Sequence, residues 1–116
     1  MSTERELAEH GIEIKHIQTD VLVSAVLSSD GQFKEATGTN NILRSRVKAV
    51  YIVPAATAGS VVFKDGGAGG TTIMTLNTVA SATQPTYLLF PGEGILFTTK
   101  VYADVTNIGT VTIFYG

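Results

Sequence analysis

Two histidines, His10 and His16, are the side chains in this sequence that could most readily bind a metal. A zinc site needs about four ligands, mostly Cys and His, at characteristic spacings. The sequence has no cysteine and no third histidine, and the two histidines stand six residues apart. We therefore expect both to be solvated, with no metal site and no cofactor.

The carboxylates and hydroxyls do not form a recognisable catalytic set. A serine or threonine nucleophile needs a base and an orienting acid, and both histidines precede the β-type part of the chain. Most of the carboxylates stand at turns or strand ends, where aspartate caps backbone N–H groups. The residues in question are Asp20, Asp30, Glu35, Asp65, Glu93 and Asp104. We therefore predict that the protein is not an enzyme, and a small β-barrel enzyme is our third hypothesis.

The glycine cluster at residues 66 to 70 has the composition of a phosphate-binding loop but not its context. No Lys-Ser or Lys-Thr pair and no helical pattern follows it, as a P-loop requires. Strand-like runs flank it instead, from Ser60 to Lys64 and from Thr71 to Asn77. The pattern predicts a β-hairpin with the glycines at its tip.

The run that begins at Arg46 carries the strongest strand pattern of the chain. If the strand is regular, Val47, Ala49, Tyr51 and Val53 share one face, and Lys48, Val50 and Ile52 share the other. Both faces are then apolar after the first turn, which is typical of a strand inside a structure. We therefore expect this strand at the centre of the fold.

Other short strands and turns complete an all-β pattern. Further strands are predicted at Val21 to Leu27, Tyr87 to Phe90, Ile95 to Phe97, Val101 to Val105 and Thr110 to Tyr115. Between Gln32 and Leu43 we expect an exposed loop whose ends are held by Phe33 and Ile42. About eight short strands with regular turns predict an antiparallel β-sandwich or a jelly-roll-like barrel.

Residues 1 to 19 differ in composition from residues 20 to 116, so we predict a short N-terminal arm followed by one β domain. Thr3 and Glu6 fit a helix capping box, while the later alternation of apolar and charged residues fits a strand. Helical and extended arms both remain open. The arm residues expected to contact a partner are Glu4, Glu6, Glu9, Ile12 and Ile14.

Composition limits the classes of partner. The net charge is −2 and 16% of residues are charged, which argues against nucleic acid. No signal peptide and no apolar run of about 20 residues is visible, so we expect a soluble chain with no membrane partner. Because several strands are apolar on both faces, we expect a homo-oligomer, for example a trimer. In the β domain the predicted interface residues are Leu88, Tyr102 and Tyr115.

Three motifs carry a family resemblance: RVKAVYIVPAATAGSVVFKDGGAGGTTIMTL, PGEGILF and VYADVTNIGTVTIFYG. Together they resemble small β-rich structural proteins of tailed bacteriophages, especially phages of marine bacteria. The resemblance covers Arg46 to Gly116, leaves residues 1 to 45 uncovered and includes no catalytic residue. It implies a virion protein that binds without turnover, such as a capsid decoration or head-fibre component.

The resemblance implies a setting and leaves two binding roles open. A decoration (cement) protein would bind the major capsid protein or another virion protein, after assembly in the host cytoplasm. In that case the acidic arm, with Glu4, Glu6, Glu9 and Glu13, would pair with basic patches on the capsid, or the stretch from Ile12 to Ile17 would pair with β-edges. The alternative is a tail-fibre or receptor-binding tip, whose loops at 32 to 43 and 78 to 85 would contact a host surface glycan.

Overall fold

A computed structural model describes residues 21–116, and this part of the chain is entirely β. The strands in chain order are β1 (Leu22–Val23), β2 (Gly31–Gln32), β3 (Ser45–Pro54), β4 (Ser60–Asp65), β5 (Thr71–Asn77), β6 (Thr86–Leu89), β7 (Ile95–Phe97), β8 (Val101–Thr106) and β9 (Ile108–Tyr115). The predicted arm at residues 1 to 19, with its interface residues and both histidines, lies outside the described residues.

The strands form two antiparallel sheets that pack together as a β-sandwich. The front sheet has the order β1-β9-β3-β6, and β7 also pairs with β3. The back sheet has the order β2-β8-β4-β5. β3 pairs with β9 along one edge and with β6 and β7 along the other. The predicted sandwich and the central position of this strand are therefore confirmed.

Three phenylalanine rings occupy the core between the sheets. Phe33 and Phe63 stack with ring centroids 5.7 Å apart, and Phe97 meets Phe63 edge-on at 6.3 Å. Aliphatic side chains from both sheets surround these rings. The other buried core residues are Ile42, Val47, Val50, Ile52, Val61, Val101, Ala103, Val111, Ile113 and Tyr115. This shared core joins the two sheets, because side chains from both bury their apolar surface in it.

β3 contains an irregularity that changes which side chains face the core. Val47 pairs with Tyr115, but Ala49 pairs with Phe114, so Lys48 is an extra residue in β3. Such a β-bulge shifts the alternation of side chains by one position. Val47 therefore points inward, whereas Ala49 and Tyr51 point outward. The prediction that these three residues share one face is wrong for this reason.

The predicted strand from Val21 to Leu27 is only partly present. Beyond β1, the N–H groups of Ser24 and Leu27 donate to β9, whereas the N–H of Ala25 donates to Lys34 at 2.8 Å. Beyond Val23 the pairing is reduced to isolated bridges, between Ser24 and Glu35 and between Leu27 and Val111. Sequence alternation alone does not reveal where a ladder is interrupted, so the predicted strand is longer than β1.

Local predictions around turns fare better. The hairpin across the glycine cluster is confirmed, since β4 pairs with β5 on either side of it. The ends of the loop at 32 to 43 are also confirmed, because Phe33 and Ile42 are buried and joined by a backbone hydrogen bond of 2.9 Å. Both features are formed by residues close together in sequence. The turn-forming residues between them therefore suffice to predict them.

Candidate functional site

The outer side of the front sheet carries a continuous row of apolar side chains. Val23, Phe114, Ala49 and Leu89 are register partners across β1, β9, β3 and β6. Directly opposed residues of antiparallel strands share one side of a sheet. Because the neighbours of Phe114 along β9 are buried, this row points away from the core.

A second row and one edge residue extend this surface. Tyr51 pairs with Tyr87 beside the first row, and Val21 lies at the edge near Phe114. The Tyr87 and Phe114 rings meet edge-on with centroids 5.8 Å apart, which fixes both on the surface. We call this surface the apolar face. It comprises Val21, Val23, Ala49, Tyr51, Tyr87, Leu89 and Phe114.

The apolar face has relief as well as area. A groove of about 440 Å³ has Ala49 and Phe114 in its lining and reaches Pro91. Leu89 and Tyr87 also line it, and they are 71% and 57% exposed. Among the described residues that line the groove, Lys48 carries a charge and the others do not. The apolar face therefore contains both exposed apolar side chains, Leu89 and Tyr87, and an apolar groove.

The outer side of the back sheet has a different character. Lys64 and Asp104 form an ion pair of 2.7 Å there, next to Tyr102. Burial raises the pKa of the Tyr102 hydroxyl, and the negative charges of Asp104 and Asp30 raise it further. This side carries charges in contact with solvent, so the two outer sides of the sandwich differ sharply in polarity.

Asp65 ties the end of β4 to the connection between β7 and β8. Its carboxylate accepts hydrogen bonds from the backbone N–H and the hydroxyl of Thr98, at 2.8 and 2.7 Å. The N–H groups of Thr99 and Lys100 donate to its other oxygen at 2.9 and 3.3 Å. The prediction that aspartates cap backbone groups is confirmed here and at Asp30, which accepts from the N–H of Val105 at 2.7 Å.

The stability of the protein should depend on the charge of Asp65. Partial burial raises the pKa of Asp65, but the hydrogen bonds from Thr98, Thr99 and Lys100 outweigh it and lower the pKa from 3.8 to about 2. Because the folded value is the lower one, the stabilisation is complete above pH 4 and disappears as the pH falls towards 2. We expect a contribution of about 1 to 2 kcal/mol after solvent screening.

Urea unfolding of the wild type and of Asp65→Asn, at several pH values, measures this contribution. At neutral pH the variant should be less stable, because a neutral amide cannot replace a carboxylate that accepts on both oxygens. Towards pH 2 the difference between the two proteins should shrink. A difference that stays constant across this range would contradict the assignment.

The described residues predicted as an interface do not lie together. Leu88 pairs with Val50 on the inner side of the front sheet and is half-buried. Tyr115 is 7% exposed and belongs to the core, so it offers little area to another chain. Tyr102 lies on the charged outer side of the back sheet. These placements leave the predicted interface without a common surface.

The residues of the apolar face were not predicted as an interface. Tyr51 and Tyr87 lie on strands but are exposed. The signal in the sequence was a strand that is apolar on both sides, combined with an apolar final strand. Assigning the outer side also requires the bulge at Lys48 and the register of β9, which no local pattern contains.

In residues 21–116, no three His, Cys, Asp or Glu side chains are grouped as a metal site requires. The same residues include no helix that is long and apolar enough to cross a membrane. The apolar face is the candidate site because it can bind by shape and by burial of apolar area.

Comparisons with protein-family models, with curated proteins and with solved structures give no match to this chain.

Proposed function

We propose that this chain is a structural protein of a bacteriophage virion, a capsid decoration (cement) protein that binds the head shell and stabilises it. The observation that carries the binding role is the contrast between the two outer sides of the sandwich. The apolar face suits contact with other protein, and the side with Lys64 and Asp104 suits contact with water. The phage setting rests on the sequence resemblance.

Physical reasoning supports this assignment to a binding role. A contiguous apolar patch on a soluble protein is often functional and commonly marks an interface. On a shell, many copies stand side by side, so that each weak contact benefits from a high effective concentration. A rigid sandwich with a binding surface meets these requirements and needs no catalytic group.

Co-sedimentation of the full chain with empty heads of the phage that encodes it tests the proposal. We expect the protein to sediment with the heads at a fixed ratio to the major capsid protein and to raise the temperature at which the heads disrupt. Heads that leave the protein in the supernatant at every concentration would contradict decoration.

A charge variant tests the arm in the same experiment. If the acidic arm pairs with basic capsid patches, replacing Glu4, Glu6 and Glu9 by Gln should weaken head binding at low salt, while raised salt should weaken binding of the wild type. The stability of the β domain should not change. Wild-type binding that is indifferent to salt and to this triple substitution would remove the arm from the proposal.

A further inference from the structure

We propose that the partner of the apolar face is a second copy of this chain, which packs the same face against it across a two-fold axis. The inference rests on the proposed function in one respect, since it names a partner for the surface that carries the binding role. It does not depend on the phage setting. It predicts an even number of copies in the closed assembly.

Shape is the first argument for a second copy. A contact across a two-fold axis requires the same patch to hold both the projection and the recess that receives it. On the apolar face, Leu89 and Tyr87 line the same groove as Ala49, Pro91 and Phe114 and, with Val21, are its most exposed large hydrophobic side chains. When two such faces meet, the exposed side chains of each copy can enter the groove of the other.

Charge is the second argument. Residues of the two outward rows are apolar or uncharged, including Thr112, which pairs with Tyr51. Apart from Lys48, which lines the groove, two identical surfaces therefore bring no like charges together, and like charges would cost affinity. The back sheet is less suited to this contact, because two copies of the Lys64 and Asp104 pair would have to lose water.

The size of the face indicates the strength of the contact. With strands about 4.8 Å apart and a rise of about 3.4 Å per residue, the apolar face measures roughly 15 Å across its four strands and roughly 15 Å along them. A standard interface buries about 800 Å² on each partner, so this face by itself is smaller than a stable dimer needs. We therefore expect a dimer that depends on concentration in solution and is favoured where copies crowd together.

Light scattering and sedimentation of the full chain over a wide concentration range, without phage heads, test the inference. The wild type should change from one copy to two as concentration rises. Leu89→Glu should weaken this association at least about tenfold, because it places a charge in the centre of the contact. Val79→Glu is the matched control, since Val79 is 73% exposed but neither lines the groove nor belongs to the apolar face.

Each outcome of this experiment decides the inference. A dimer that Leu89→Glu disrupts and Val79→Glu leaves intact supports it, provided that both variants melt at the temperature of the wild type. A trimer, a single copy at every concentration, or a dimer insensitive to Leu89→Glu overturns it. If the apolar face is covered by residues 1 to 20 of the same chain, the wild type stays a single copy, which also overturns the inference.

The result is separable from the test of decoration. A dimer that does not bind heads would support the inference and contradict decoration. A single copy that binds heads would overturn the inference and leave decoration supported.

Discussion

Replacing Phe63 by alanine is expected to lower the free energy of unfolding by about 3 to 5 kcal/mol. Phe63 is fully buried, and its ring lies between those of Phe33 and Phe97, at 5.7 and 6.3 Å. Truncation would remove buried apolar surface and open a cavity between the two sheets. Because a small domain is stable by roughly 5 to 15 kcal/mol, this loss would bring it close to unfolding at room temperature.

Urea unfolding followed by circular dichroism measures the effect, with Phe63→Leu as the matched control. Leucine keeps most of the apolar volume, so its loss should be roughly half that of alanine or less. Both variants should retain the wild-type dependence on urea if the surface exposed on unfolding is unchanged. An alanine variant as stable as the wild type would show that these rings do not form a common core.

The core around Phe63 is the part of the fold that sequence reasoning reached most directly. The alternation on either side of the glycine cluster places Phe63 in a hairpin strand, and the hairpin is present. Burial of Phe33 and Ile42 at the ends of a loop also follows from isolated apolar residues in a polar stretch. Such features depend on turn residues and periodicity over fewer than about ten residues.

Contacts between distant parts of the chain could not be obtained in this way. Asp65 was expected to cap backbone groups near a turn, but its partners Thr98 and Thr99 stand 33 and 34 residues further along the chain. Likewise, the pairing of β3 with β9 joins residues more than fifty positions apart. Many alternative pairings satisfy the same local pattern, so the sequence leaves these choices open.

The apolar face also depends on contacts between distant parts of the chain, which local sequence patterns do not determine. Tyr87 and Leu89 alternate with half-buried Leu88, and either set could have faced outward. The strand partners of β6 and the bulge at Lys48 determine which set faces outward. After Val47, the bulge exchanges the inner and outer positions of β3. An error of one residue in register exchanges core and surface. For this reason the interface residues predicted in the β domain missed the apolar face.

Gly94→Ala is expected to destabilise the protein by about 3 kcal/mol or more, because it disturbs the chain beside that bulge. Gly94 has a φ of 90°, a conformation that costs other residues roughly 1 to 2 kcal/mol. In addition, a Cβ at this position would lie 2.4 Å from the carbonyl oxygen of Val47. Since both atoms belong to the backbone or are fixed to it, β7 and β3 would have to separate.

Gly92→Ala is the control within the same turn. Gly92 also has a positive φ, 64°, but an added Cβ would meet nothing within 4 Å. Its substitution should therefore cost only the conformational term, about 1 kcal/mol. Thermal and urea unfolding of the two variants separates strain from steric overlap. If both variants lose the same stability, the close approach of Gly94 to Val47 does not hold β7 against β3. The bulge that turns Ala49 and Tyr51 outward would then have to be maintained by the pairing of β3 with β9 and β6.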